Sequence, residues 1–413
     1  MNVLFVHQNF PGQFKHMAPA LARDPANRVV ALHVNPLRPI SGVETVAFSP
    51  APSQSRDLHR WVAEFESKIA RGEAAYLTAK RLKSEGFRPD VIIAHPGWGE
   101  SVFFHDVWPS APLGLYCEYR YNATGADVNF DQEFGSDDDS ACRLRIKNAI
   151  QDIQIPNMSA GISPTHWQRS TYPEPVRPLI SVIHDGIDTQ RLVPNSRTGF
   201  VLNRDGERFS IAPSDEVITY VVRNLEPYRG FHCFMRALPE IMRRRPRAQV
   251  LIVGGDGVSY GPKPPPTEAQ PERSWKKIFL DEVRGDLDLS RVHFLGRVPY
   301  DHFRAVLQVS TVHVYLTYPF VLSWSLLEAM STGCAVVASD TAPVREVLRH
   351  NDTGLLVEFF DTVGLAESVC NLCDDPATRK RLGDAARIDV VNKFDLETVC
   401  LPAQLNWIRS LLG

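Results

Sequence analysis

Arg223 ends the apolar run "VITYVV" (217–222), and Arg229-Gly230 follows where the helical pattern "GFHCFMRALPEIMRRR" (230–245) begins. A guanidinium carries a permanent charge and a fork of N–H donors that matches phosphate oxygens, so two arginines at a strand end and a helix start suit a diphosphate. The other reading is two solvated surface arginines. A second candidate is Glu328, the one charged residue in "YPFVLSWSLLEAMSTG" (318–333). A carboxylate in apolar surroundings needs a partner. Ser325-Leu-Leu-Glu328 has the S-x-x-E spacing of a capping box, in which the glutamate reaches back to the cap N–H. Alternatively the helix N-terminus, with Ser323 and Ser325 beside it, offers N–H groups to a phosphate, and Glu328 one turn further in accepts the two hydroxyls of the adjoining ribose.

The first half of the chain carries fewer candidates. Gly12, between Pro11 and Gln13 after the first apolar run, lets backbone approach a diphosphate closely or simply makes a turn. His95 in "AHPGWGES" (94–101) and Glu118 in "LYCEYRY" (115–121) stand at strand ends. Glu118 is read either as a hydrogen-bond acceptor for a substrate hydroxyl or as an ion-pair partner of Arg120 or Arg143, and His95 either as a site residue or as a structural one. "SDDDS" (136–140) lies in a polar loop rather than at a strand end, which argues against metal ligation. "CNLC" (370–373) has no second Cys pair or nearby His, so packing is expected there in place of metal or redox chemistry.

The elements that must position these residues are short apolar runs bounded by Gly, Pro or Asp and separated by helical patterns. "NVLFVHQ", "RVVALHV", "PDVIIAHP", "PLGLYCEY", "SAGISPT" and "LISVIHDG" come first; "VITYVVRN", "QVLIVGGDG", "RVHFLGRV", "TVHVYLT" and "CAVVASD" follow a polar break at 194–216. Such alternation predicts α/β domains on parallel sheets covered by helices. The expected organisation is a domain over 1–193, a linker over 194–216, a second domain over 217–395 and a tail helix over 396–413. Ligands of such sheets bind at the carboxyl ends of the strands. Residues 120–140 read as a loop of the first domain, and the proline-rich stretch 258–274 as a surface insertion or a lid.

Composition narrows the function classes. The 413 residues suit two domains, and the 45 basic and 48 acidic side chains leave a net charge of −3, which removes a global electrostatic case for nucleic-acid binding. No run approaches the ~20 apolar residues of a membrane span, and "MNVLFVHQNF" lacks the features of a signal peptide. A cytoplasmic protein is expected. Lys68, Arg71, Lys80, Arg81 and Lys83 on one helical stretch are read either as a solvated face or as a peripheral contact with anionic lipid at the inner membrane face.

Together these residues resemble the retaining glycosyltransferases of family 4, over nearly the whole chain and most strongly over 218–360. The resemblance implies the GT-B fold, with two facing Rossmann-like doubly wound parallel-sheet domains. "RNLEPYRGF" (223–231) is similar to the family's R-x5-K-G donor-phosphate motif, with Arg229 where lysine is usual. "LLEAMSTGCAVVASD" (326–340) resembles the stretch holding the second glutamate of its E-x7-E motif, which makes Glu328 the ribose carboxylate. "GISPTHWQRS" (161–170) and "VIHDGIDTQRLVP" (182–194) resemble the segments that end the first domain. The first glutamate of E-x7-E is replaced by Phe320, so donor-sugar contacts would come from the backbone amides of 321–325 or from Trp324. "HQNFPGQF" (7–14) with "YPFVLSWSLLEAM" is similar to a less characterised subgroup of the family that shares this replacement.

The resemblance implies a metal-independent, retaining hexosyltransferase without cofactor. It would move sugar from a nucleotide-diphosphate donor, UDP-sugar by family frequency, to a hydroxyl of a glycan, a lipid-linked saccharide or a small molecule. Arg223 and Arg229 would neutralise the diphosphate, and Glu118 and His95 would serve the reacting groups. Gly12, Ser323, Trp324, Ser325 and Glu328 would hold the donor, with Gly255 of "GGDG" (254–257) and Arg297 and Val298 of "GRV" (296–298) at the base. Its rivals are a sugar-nucleotide epimerase and a non-catalytic sugar-nucleotide- or polysaccharide-binding protein of the same fold.

Overall fold

A computed structural model describes the chain apart from residues 36–38, 52–56, 136–138, 205–206, 213 and 267–272, and apart from the side chains of 202–209. Two units result. One comprises Met1–Val128, Ser136–Gly186 and Leu396–Gly413, and the other comprises Asn129–Gly135 and Ile187–Asp395.

In the first unit, strands β1 (Asn2–Val6), β2 (Arg28–His33), β3 (Val43–Ala47), β4 (Val91–Ala94), β5 (Leu113–Tyr116), β6 (Ala160–Ser163) and β7 (Ile180–Val182) form one parallel sheet. The order is β3-β2-β1-β4-β5-β6-β7. Side chains alternate between the two faces of a strand, and here both faces are covered. Leu4, Val30, Ile92 and Leu115 join one apolar cluster, and Val3, Phe5, Val29 and Ile93 join another. Burial on both faces is why these strands read as continuous apolar runs. β3 escapes that criterion because it is an edge strand with exposed Glu44 and Thr45.

The tail returns to this unit. Helix Leu401–Ser410 adds Leu401, Trp407 and Ile408 to the second cluster, each such burial contributing roughly 1.5–3 kcal/mol. Gly114 on β5 makes room for it, since a Cβ there would lie 2.8 Å from the Trp407 ring.

In the second unit an antiparallel hairpin of β8 (Phe200–Arg204) and β9 (Glu207–Ile211) occupies the stretch expected to be a polar linker. The parallel sheet follows with β10 (Val217–Asn224), β11 (Gln249–Gly255), β12 (Val292–Gly296), β13 (Val312–Tyr315), β14 (Val336–Ser339) and β15 (Leu355–Val357). Their order is β12-β11-β10-β13-β14-β15. Val217, Val221, Leu251 and Val336 point to one core cluster, while Ile218, Tyr220, Val250 and Ile252 are fully buried on the alternate positions. The unit begins at Ile187, ahead of the expected boundary after 193, and includes Asn129–Gly135 from the loop assigned by sequence to the first domain.

Candidate functional site

Both sheets are doubly wound, and each reverses its strand order once. The reversal lies between β1 and β4 in the first unit and between β10 and β13 in the second. Crossover connections leave these adjacent strands in opposite directions, which opens a crevice at their carboxyl ends. The sequence-derived candidates fall at these two places.

At the first switch point, His7 follows β1, His95 follows β4 and Glu118 follows β5. His95 Nε2 lies 3.2 Å from Glu118 Oε2, and Gln13 Nε2 donates to Glu118 Oε1 at 2.9 Å. The Gly97 N–H donates to His95 Nδ1 at 3.1 Å. That leaves the ring proton on Nε2, where it is donated to the carboxylate. Burial raises the Glu118 carboxyl, but the hydrogen bonds from His95 and Gln13 outweigh it and hold the group below the usual carboxylate range. The ion-pair alternative does not form with Arg120, which pairs with Asp152 at 3.0 Å.

Sequence reasoning passed over His7 and Gln13. His7 is buried, accepts the Asn9 N–H on Nδ1 at 2.9 Å, and packs edge-on against His95 with ring centroids 5.5 Å apart. Burial, reinforced by His95, brings His7 down to about 3, so it is neutral. Gly12 closes over it with φ at +49°, and a Cβ there would lie 2.8 Å from the His7 ring. Glycine is therefore required both by backbone conformation and by space.

At the second switch point, Arg223 on β10 is exposed, and no hydrogen bond or ion pair to a described residue engages its guanidinium. Arg229 is 3% exposed. Its Nη1 donates to Thr317 Oγ1 at 2.8 Å and to the Val321 carbonyl at 3.0 Å, and the guanidinium stands 5.0 Å from the Tyr260 ring centre. One arginine is thus free and the other is locked to the loop after β13.

Glu328 lies on helix Trp324–Ser331, whose N-cap is Ser323 rather than Ser325. The Ser323 side chain accepts from the Ser325 N–H at 3.3 Å. With the cap two residues earlier, Glu328 falls beyond the capping-box position, and Tyr300 Oη donates to its Oε1 at 3.1 Å. Ser323 is further tied by its own N–H to Tyr315 Oη at 3.0 Å. Trp324 and Val298 pack against the core cluster of the unit. Gly255 and Arg297 do meet, because a Cβ on Gly255 would lie 2.8 Å from Arg297 Nε and 2.6 Å from Asn224 Oδ1, which accepts from Arg297 Nη2 at 3.2 Å.

Phe320 is buried, with its ring centre 5.4 Å from Tyr228 and 5.0 Å from Tyr260. Tyr260 comes from the base of the 258–274 insertion, which an unforeseen carboxylate holds. Glu226 is fully buried and accepts the N–H groups of Ser259 at 3.0 Å and Tyr260 at 3.2 Å. Burial raises its carboxyl, against the pull of those amides.

Other readings resolve simply. Cys370 and Cys373 are unpaired and buried on helix Thr362–Asp374, and burial pushes the Cys373 thiol up to about 12, as packing requires. Residues 136–138 of "SDDDS" lie outside the described residues, while Asp139 pairs with Arg60. Among the described residues, one group of three acid or histidine side chains, Asp131, Glu133 and His232, has ligand atoms within 4.8 Å of one another. Its carboxylates are already engaged: Asp131 by His232 and Tyr318, Glu133 by both arms of the Arg236 fork. The basic helix does not present its cations as one outer face, because Lys68 is buried against Glu64, Arg71 donates to the Trp98 carbonyl and Lys83 to the Val107 carbonyl. No helix among the described residues is long and apolar enough to cross a membrane.

A model of the glycosyl transferase family 4 group matches residues 25–192, and a model of glycosyl transferases group 1 matches residues 203–389. A glycogen synthase of Mycobacterium tuberculosis is 24% identical over 421 aligned residues, covering 96% of this chain and 88% of the relative. A D-inositol 3-phosphate glycosyltransferase of Corynebacterium efficiens is 28% identical over 50% of this chain and 46% of its own. Among solved structures, sucrose-phosphate synthase of Thermosynechococcus elongatus superposes with a TM-score of 0.70 at 17% identity, covering 100% of this chain and 99% of the other. Anabaena HepE in complex with UDP does so at 0.67 and 13%, covering 99% and 100%. These two likenesses establish the GT-B fold.

Proposed function

Because the chain belongs to the family 4 glycosyltransferases of the GT-B fold, we propose that it transfers a hexose with retention from a nucleotide-diphosphate donor, UDP-sugar preferred, to an acceptor hydroxyl without a metal ion. The observation that carries this reading is the pair of arginines at the second switch point, Arg223 exposed and free, Arg229 fixed by Thr317 and Val321. A preorganised cation beside a departing diphosphate is worth more than one that must be recruited from solvent. Arg229 needs no rearrangement to meet the charge, and Arg223 has donors to spare. Glu328, oriented by Tyr300, takes the ribose hydroxyls. In the first unit Glu118 is ionised and held by His95 and Gln13, which suits it to accept a hydrogen bond from a substrate hydroxyl. The leaving phosphate oxygen takes the acceptor's proton as the new bond forms on the face the leaving group departs from.

The test is a donor panel, first by thermal shift and then by transfer to simple glycosides in excess EDTA, with the anomeric configuration of product read by NMR. A ligand that binds only the folded state raises its apparent stability in proportion to RT ln(1 + [L]/Kd). A nucleotide-diphosphate sugar should stabilise the protein, and EDTA should leave transfer intact with the donor's configuration kept. Inverted product, or loss of transfer that Mg²⁺ or Mn²⁺ restores, would overturn the corresponding part.

One observation favours a second reading. Where the family resemblance expects a carboxylate, Phe320 is sealed between Tyr228 and Tyr260, which suits a sugar-nucleotide-binding protein that has lost its chemistry. Slow donor hydrolysis in the absence of acceptor would exclude that reading, and none with any donor that binds would support it.

A further inference from the structure

Asp131 is 4% exposed, and neither its place in a polar, turn-rich stretch nor any motif marks it. Residues Asn129–Gly135 leave the first unit's sequence and fold into the second. Two aromatic anchors hold this segment there: Phe130 stacks on Phe360 at 5.3 Å, and Phe134 meets Trp275 edge-on at 5.0 Å. Asp131 sits between the anchors.

Its carboxylate joins two elements. Tyr318 Oη donates to Oδ2 at 2.6 Å, and His232 Nε2 lies 3.0 Å from the same oxygen, while Oδ1 accepts the Glu133 N–H at 2.9 Å. His232 and Tyr318 are themselves buried. The close His232 ring and the Tyr318 hydrogen bond offset burial and hold the Asp131 carboxyl below its ordinary range, so it is charged at neutral pH. Tyr318 belongs to the loop after β13 whose Thr317 hydroxyl and Val321 carbonyl grip Arg229. His232 is on the first turn of the helix Phe231–Arg244, which begins two residues after Arg229. Tyr318 also donates its N–H to the Tyr228 carbonyl at 3.0 Å. Both structures that fix the Arg229 side chain and backbone are therefore tied to one carboxylate.

We propose that Asp131 is a positioning residue for the donor diphosphate, supplied by a segment remote in sequence, which fixes the Thr317–Val321 loop and the start of the Phe231–Arg244 helix around Arg229. A carboxylate is suited to this because one oxygen accepts a charge-assisted hydrogen bond from Tyr318 while lying 3.0 Å from His232 Nε2 on a different element, whereas a neutral amide oxygen accepts more weakly. The inference rests on the reading of Arg229 as a diphosphate ligand.

The test measures binding of UDP, and of whichever nucleoside diphosphate stabilises the protein most, by calorimetry on the full chain. Asp131→Asn and Tyr318→Phe should each weaken binding about tenfold. The double variant should be weaker than the worse single one by less than the sum of the two, since both act on the Tyr318–Asp131 bond, which Asp131→Asn weakens and Tyr318→Phe removes. Glu133→Gln is the control. It loosens the Arg236 ion pairs of the same segment, and should lower Tm while leaving nucleotide affinity unchanged. Arg229→Ala is run beside them to test the underlying reading. If Arg229→Ala binds like wild type, the diphosphate assignment falls and this inference with it. If Arg229→Ala weakens binding but Asp131→Asn and Tyr318→Phe do not, or Glu133→Gln weakens it equally, Asp131 only holds the segment in place and the proposal is wrong. Should Asp131→Asn fail to fold, Tyr318→Phe, which removes a single hydroxyl, decides the question alone.

Discussion

The two switch points are built from opposite chemistry. The first is a network in which His7, His95, Gln13 and Glu118 lie together, with Glu118 held by His95 and Gln13 and both histidines by backbone N–H groups. The second keeps cationic capacity open, with Arg223 unengaged and Arg229 seated on the loop of β13. The network fixes one carboxylate in one orientation, which suits the proposed contact with a substrate hydroxyl. An open cation serves a ligand that brings its own charge. Hence substitutions in the second unit should act on donor affinity and leaving-group charge, and those in the first on turnover.

The largest effect is expected at Arg223. Arg223→Ala should slow transfer by about 10²-fold, the upper range for loss of one donor to leaving-group charge, and should change stability by no more than about 0.5 kcal/mol because the side chain is exposed and makes no bond to a described residue. Arg229→Ala should slow transfer comparably, but it also strips the Thr317 hydroxyl and the Val321 carbonyl of a donor, at about 1–3 kcal/mol. Kinetics and thermal melts on the pair separate the ligand role from the structural one; turnover at the wild-type rate in Arg223→Ala would make it a surface arginine.

Next comes Glu328. Glu328→Gln should weaken the donor nucleotide about tenfold, as a charge-assisted contact becomes a neutral one. Wild type should discriminate against a 2′-deoxyribose donor, and the variant much less. Equal discrimination by both would take the ribose away from Glu328. Smaller again is Glu118→Gln, expected to lower kcat by about fivefold with donor affinity kept. A change in donor affinity alone would break the division between the two units.

A separate effect, on stability and not on transfer, concerns Glu100, behind the loop of His95. It is 1% exposed and burial pushes its carboxyl up to about 7 from the ordinary 4.5. The folded state then binds this proton more tightly than the unfolded chain. Its stabilisation is fully present below about pH 4.5 and is lost as pH rises through about 7. The loss is on the order of 3 kcal/mol. Stability of Glu100→Gln should fall less between pH 5 and about 8 than that of wild type, as measured by urea unfolding; parallel curves would show that Glu100 does not titrate there.

What could be read from the chain divides along the same line. Most strands announced themselves because both sheet faces are covered, and β3 and β15 did not because they are edges with partly exposed side chains. Arg223 and Arg229 stand in one short stretch and Glu328 in another, each with a recognisable local spacing, so they were visible. The partners that give them geometry were not: Tyr300 and Asp131 reach the site only through tertiary contacts, and Glu226, though it lies between the two arginines, shows its role only by meeting the amides of Ser259 and Tyr260. His7 was hidden in the same way, since its role depends on β1 lying beside β4. The hairpin of β8 and β9 did carry a signal, Asp205-Gly206 between two apolar-bearing runs, a pairing that favours a tight hairpin turn.

The second unit is proposed to bind a nucleoside diphosphate through paired arginines and no metal. Calorimetric titration of the full chain with UDP and UMP, and with the corresponding adenine and guanine nucleotides, all in excess EDTA, tests it most directly. At least one diphosphate should bind about tenfold or more tightly than its monophosphate, and Arg223→Ala should erase most of that difference. Equal affinity for mono- and diphosphates, or diphosphate binding that appears only with Mg²⁺, would contradict the account.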